Sequence, residues 1–111
     1  MLTLESRVDG DCAILEASGE FTSHQCGRFL NMVRQEVRPG IRKVIVDASR
    51  LEHMTASALA ELAEIHCILA ESGCRLILVG LTSQVHKMLF ISSLDKIIAT
   101  VPTVKDALAL E

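Results

Sequence analysis

The sequence predicts one α/β domain over residues 1–111, with a mixed sheet that is parallel at its centre and antiparallel at its first strand, and with about four helices. Two observations lead to this prediction. The first two apolar runs flank Asp9-Gly10-Asp11, a hairpin turn signal. Further along, short aliphatic runs alternate with amphipathic stretches, which is the pattern of parallel strands connected by helices.

The strands are predicted from apolar runs and from the turn residues that bound them. Gly19-Glu20-Phe21-Thr22 ends the second strand, and Gly80 ends the fourth. The two central runs lack alternation, as expected for strands covered on both faces. The predicted strands are residues 1–8, 12–18, 44–46, 76–79 and 97–99.

The helices are predicted from cap residues and helical spacing. Thr22 or Ser23 caps the first helix, which Pro39-Gly40 stops. The apolar positions of this helix are Cys26, Phe29, Leu30, Val33 and Val37. The second helix runs from about Ala56 to Ser72. Thr82 or Ser83 starts the third, which carries Val85, Met88 and Leu89, and Thr103 starts the last in a capping-box-like sequence.

On the second helix, a helical projection gathers one broad apolar arc of Leu59, Leu62, Ala63, Ile65, His66, Leu69 and Ala70. Glu61, Glu64 and Glu71 are predicted to lie opposite that arc. Ile68 falls among these glutamates, so it is either a lone exposed side chain or a contact for a partner.

The composition narrows the functional classes. The net charge of −3, with three Phe and neither Tyr nor Trp, argues against nucleic acid or an anionic membrane surface as the main partner. The start of the chain does not read as a secretory signal, and no apolar run is long enough to span a membrane. We therefore expect a cytoplasmic protein without direct membrane insertion. Cys12, Cys26, Cys67 and Cys74 show no CxxC spacing and are expected to be reduced.

Catalytic and cofactor motifs are not evident, so we predict neither enzymatic activity nor a cofactor. The sequence contains no Walker A loop, no Gly-x-Gly-x-x-Gly and no Gly-x-Ser-x-Gly elbow. His66, Cys67 and Cys74 do not meet a zinc-ligand spacing, so no metal site is predicted. His53 is either a solvated loop residue or a partner contact.

The most informative segment is residues 47–62, which follows the buried run Val44-Ile45-Val46. We predict a short loop ending at Thr55-Ala56-Ser57, where the second helix begins. Hydroxyl groups at a helix N-terminus lie beside unpaired N–H groups and partial positive charge, which accommodate an anion such as a phosphate.

Four segments together resemble the STAS domain of anti-sigma factor antagonists, in their order and spacing. They are Gly19-Glu20-Phe21-Thr22, Val44 to Ser49, Gly73 to Val79, and Ser93 to Ile98 followed by Val104 to Leu108. The resemblance covers roughly residues 8–110. It implies a partner that is both an anti-sigma factor and a serine kinase of the GHKL type. In such proteins the kinase phosphorylates a serine at the start of the second helix, and the phosphate breaks the contact.

This chain departs from the family pattern at that serine. In the resemblance Ala56 takes the acceptor position and Thr55 takes that of the preceding aspartate. Three interpretations remain open: Thr55 or Ser57 is a displaced phosphoacceptor, the site has lost its switch, or the domain serves another partner. That partner would be an ABC ATPase of lipid transport or other STAS proteins, as in a stressosome scaffold. We expect the anti-sigma factor antagonist role, with partner contacts at His53, Met54, Thr55, Ala56, Ser57, Ala58, Leu59, Glu64 and Ile68.

Overall fold

The computed structural model describes residues 2–22 and 26–110, with Cys26 described by its backbone only. The predicted cap residue Ser23 lies outside these residues. The elements are β1 (Leu2–Asp9), β2 (Cys12–Phe21), α1 (Cys26–Glu36), β3 (Lys43–Met54), α2 (Ala56–Glu71), β4 (Arg75–Val79), α3 (Ser83–Ile91), a 3₁₀ turn (Leu94–Lys96), β5 (Ala99–Val101) and α4 (Val104–Ala109).

The five strands form one sheet in chain order, β1-β2-β3-β4-β5. β1 is antiparallel to β2 and the other pairs are parallel, so the predicted mixed sheet is confirmed. Three successive parallel crossovers advance in the same direction. Because such crossovers are right-handed, α1, α2 and α3 lie on the same face of the sheet. Their side chains Phe29, Leu62 and Val85 share one core cluster, whereas Ala107 of α4 packs with Ile45 on the opposite face.

β3 is much longer than predicted, and the correction concerns the segment before α2. It continues for 12 residues to Met54, so the predicted loop after Val46 is strand. Its pairing with β2 contains two register irregularities. These irregularities break the strict alternation of a strand, and Ala48, Leu51 and Met54 are all buried, each 2% exposed. Tertiary pairing therefore overrides the turn-like composition of residues 47–50.

The last strand also differs from its prediction. Residues 97–99 were expected to form it, but β5 comprises Ala99–Val101. After α3 the chain passes through Ser93, which has a left-handed φ of 64°, and then through the 3₁₀ turn. This turn brings Ile98 into the core before the strand begins.

α4 is secured to the sheet by a lysine of β3. The Lys43 ammonium group donates to the carbonyl oxygens of Ala107 at 3.3 Å and Leu108 at 3.1 Å, and it also donates to Leu110. A cation at the carbonyls of the last turn complements the negative end of the helix.

Candidate functional site

The candidate site lies where β3 ends and α2 begins. The amide of Thr55 donates to the carbonyl of Phe21 at 3.1 Å, which holds the chain against β2 until the helix starts. Thr55 is the N-cap, with extended backbone angles of −88° and 168°. Its Oγ1 accepts a hydrogen bond from the amide of Ala58 at 3.3 Å. The structure thus confirms a hydroxyl residue at the helix start and gives it a capping role.

The next two residues are open to solvent. Ala56 and Ser57 are exposed in the first turn of α2. Within residues 2–22 and 26–110, neither backbone N–H group donates a hydrogen bond, and the Ser57 hydroxyl makes none either. Unpaired amides at a helix start carry partial positive charge. A phosphate on Ser57 would therefore lie beside donors that are available to it.

The predicted contact residues divide into surface and core. His53 is exposed, but it belongs to β3 and pairs with Glu20, so its expected place in a loop is wrong. Met54 is 2% exposed and Ala58 is 0% exposed. These two side chains therefore lie beneath the surface of the site. Leu59 is half-buried beside them.

The buried face of α2 is turned relative to the predicted arc. Its buried residues are Ala58, Glu61, Leu62, Ile65 and Leu69. Glu61, predicted on the polar side, is 7% exposed, whereas Ala70, predicted in the apolar arc, is exposed. Ile68 is half-buried and Glu64 is exposed. The alanines of the helix caused the error, because they count as apolar but contribute little to burial.

The rotation brings a row of small side chains to the surface, which sequence reasoning missed. These residues are exposed or, for Ala63, half-buried: Ala56, Ala60, Ala63, Cys67 and Ala70. Their spacing of three or four residues was the available signal. We call them the small-residue face of α2. Such a face lets another backbone approach the helix closely, and Glu64 and Glu71 border it.

Two surface depressions lie elsewhere. One, of about 190 Å³, is on the open sheet face and is lined by Thr3, Glu5, Glu16, Ala17, Ser18, Asp47, Ser49 and Arg50. The other, of about 520 Å³, opens to solvent at the ends of β4 and β5 and is lined by Gly80, Leu81, His86, Thr100, Val101 and Pro102. The first is smaller than the roughly 300–1,000 Å³ usual for ligand pockets.

Two of the thiols, those of Cys12 and Cys74, are buried. Burial raises the pKa of the Cys74 thiol, and burial together with a hydrogen bond to Asp11 raises that of Cys12. Both groups are therefore protonated at neutral pH and are poor nucleophiles. In the described part of the chain, no group of three or more His, Cys, Asp or Glu side chains is placed to hold a metal ion.

The fold defines a small α/β domain with three helices on one sheet face and a helix start exposed at the end of β3. The family model for the STAS domain matches residues 3–107. The chain therefore belongs to the STAS domain family, which confirms the resemblance seen in the sequence. A comparison with curated protein sequences gave no match.

Several solved structures share this fold. An anti-sigma factor antagonist from Mycobacterium paratuberculosis superposes with a TM-score of 0.86 at 19% identity, covering 97% of this chain and 92% of that one. The phosphorylated form of the Bacillus cell fate determinant SpoIIAA gives 0.72 at 19% identity, covering 97% and 96%. A sulfate transporter family protein from Wolinella succinogenes gives 0.80 at 20% identity, covering 93% and 86%. At these identities the likeness concerns the fold.

Proposed function

We propose that this protein is a non-enzymatic, cytoplasmic regulator of the anti-sigma factor antagonist type. Its partner would be a GHKL-type serine kinase that also serves as the anti-sigma factor. The observation that carries the proposal is the exposed start of α2, where Ala56 and Ser57 open onto the small-residue face. The structural likeness to anti-sigma factor antagonists also supports this role.

The contact surface combines the first turn of α2 with the small-residue face. Small side chains permit close packing of a partner element along the helix. Glu64, which is exposed, and Ile68, which is half-buried, border the small-residue face. His53 adds an exposed group at the end of β3. Binding of this kind requires no pocket, only a surface that a partner can cover.

Ser57, and not Thr55, is the better candidate for a displaced phosphoacceptor. The Thr55 hydroxyl is engaged as the helix cap, at 3.3 Å from the Ala58 amide. The Ser57 side chain is exposed. A phosphate there would add about −1.5 to −2 charges to the surface that the partner covers. Such a charge on an apolar contact would disrupt it.

The alternative is a STAS adaptor without a phosphorylation switch, such as a subunit of an ABC lipid-transport complex or of a stressosome-type scaffold. The presence of Ala56 at the acceptor position favours it, since an alanine carries no hydroxyl. In that case the same surface would bind an ABC ATPase or other STAS proteins permanently.

The experiment is affinity capture of the tagged protein from its own cells, followed by mass spectrometry of the bound proteins and of the peptide containing Thr55 and Ser57. We expect a GHKL-type kinase, and Ser57→Glu should abolish its binding. Ser72→Glu, an exposed serine at the other end of α2, is the matched control and should leave binding intact. Recovery of an ABC ATPase or of other STAS proteins would instead support the adaptor.

A further inference from the structure

The C-terminal turn of α3 is apolar on both of its sides. Val85 and Leu89 are fully buried against the sheet. On the opposite side, Phe90 is 67% exposed and Ile91 is 72% exposed, and Ile97, just after the 3₁₀ turn, is 52% exposed. A helix of a small domain normally turns polar residues outward. We call Phe90, Ile91 and Ile97 the apolar tip.

The charges around the apolar tip are mainly basic. Lys87 lies three and four residues before Phe90 and Ile91, so it shares their helix face. Lys96 is exposed next to Ile97, whereas the neighbouring Asp95 is half-buried. Within residues 2–22 and 26–110, neither lysine forms an ion pair. Two solvated cations therefore border three exposed apolar side chains.

Three carboxylates lie together elsewhere, on the open face of the sheet. Glu5 pairs in register with Glu16, and Glu16 with Asp47, across three neighbouring strands. These carboxylates line the depression on the open sheet face, opposite the face that α3 covers. The net charge of −3 therefore does not describe the charge at the apolar tip, where two solvated lysines flank the exposed apolar side chains.

We propose that the apolar tip is a docking site for an anionic lipid surface, which it enters without spanning. Protruding apolar side chains flanked by lysines suit the boundary between lipid headgroups and acyl chains. The tip exposes on the order of 400 Å², well below the ~800 Å² that each partner buries in a stable protein dimer. A symmetric contact between two copies would also bring Lys87 and Lys96 of both copies to the same interface. A lipid surface needs neither a large area nor a complementary shape.

The tip and the candidate site can be occupied together. Helices that connect parallel strands run back along the sheet, so the start of α2 and the end of α3 lie at opposite ends of the strands. A domain docked through Phe90 and Ile91 would present Thr55 and Ser57 away from the lipid. Docking at the membrane would therefore leave the surface of the proposed function free.

The test is co-sedimentation of the protein with vesicles of phosphatidylcholine containing 30 mol% phosphatidylglycerol, and with vesicles of phosphatidylcholine alone. We expect binding to the anionic vesicles that weakens at high salt. The double variant Phe90→Ser/Ile91→Ser should lower the partition constant roughly tenfold or more. Lys87→Gln/Lys96→Gln should lower it several-fold. The control is Val8→Ser, which removes a half-exposed apolar side chain from β1 and should change nothing.

Three results would overturn the proposal. The first is that the same fraction of the protein sediments with anionic vesicles as in the absence of vesicles. The second is a concentration-dependent dimer in analytical ultracentrifugation that Phe90→Ser abolishes, because it would assign the tip to self-association. The third is loss of kinase binding in the Phe90→Ser/Ile91→Ser variant without vesicle binding, because it would assign the tip to a protein. Thermal unfolding should confirm that the exposed-site variants remain folded.

Discussion

The two hydroxyl residues at the start of α2 should differ sharply in their effect on stability. Thr55 caps the helix through its bond with the Ala58 amide, whereas Ser57 is solvated. Replacing an N-cap threonine by alanine usually costs about 1 kcal/mol, within a range of roughly 0.5–2 kcal/mol. The distance of 3.3 Å is long for a hydrogen bond, so the lower half of that range applies.

We therefore expect Thr55→Ala to lower the free energy of unfolding by about 0.5–1 kcal/mol, and the midpoint of thermal unfolding by roughly 2–5 °C. Ser57→Ala should stay within about 0.5 kcal/mol of the parent protein. Thr55→Ser, which keeps the capping oxygen, should also stay near the parent. The assay is urea unfolding followed by circular dichroism, with a common slope fitted to all variants.

A loss for Ser57→Ala as large as that for Thr55→Ala would refute this reasoning, because it would make Ser57 a structural residue. The comparison bears on the switch as well. A phosphate on Thr55 would replace the capping hydroxyl by a phosphate ester, whereas a phosphate on Ser57 would leave the Thr55 hydroxyl as the cap. The stability difference measures how much that hydroxyl contributes to the start of α2.

Three further outcomes follow from single contacts. Gly80→Ala should lower the free energy of unfolding by more than about 2 kcal/mol, because the φ of Gly80 is +65° and the new Cβ would lie 2.9 Å from the Cβ of Ser49. Gly10 has a φ of +61° but open space around it, so Gly10→Ala should lower the free energy of unfolding less in the same urea assay. Lys43→Met should speed amide hydrogen exchange in α4 but not in α2, since it removes the cation from the α4 carbonyls; equal rates would show that the lysine is dispensable. Ala56→Ser should create a phosphoacceptor for a kinase partner, detected as a phosphopeptide after incubation with ATP; no phosphate would favour the adaptor.

The sequence predicted the sheet and the starts of α2, α3 and α4 because local chemistry determines them. Thr82 and Thr103 cap α3 and α4 through bonds to the amides of Val85 and Asp106, as their positions before amphipathic runs indicated. The hairpin was predicted from Gly10, because glycine readily adopts the positive φ that a tight turn requires. The φ of Gly10 in the structure is +61°.

The errors fall where pairing or packing at a distance decides the structure. Residues 47–50 resemble a turn, but pairing with β2 holds them in a strand. The buried side of α2 could not be predicted from hydrophobicity alone. Alanines occur on both the buried and the exposed side of the helix, and Glu61 is buried. His53, Ala56 and Ser57 are exposed, whereas Met54 and Ala58 are buried, and only the fold distinguishes these two groups.

The agreement between strand order and chain order also bears on how the molecule assembles. Each strand pairs with its neighbour in sequence, so each closure spans only one connecting segment. The growing chain can add strands one after another during synthesis, without waiting for its C-terminus. β5 has only three residues and arrives last. We expect β5 and α4 to open and close as the least protected unit, while β1 to β4 persist as the folding nucleus.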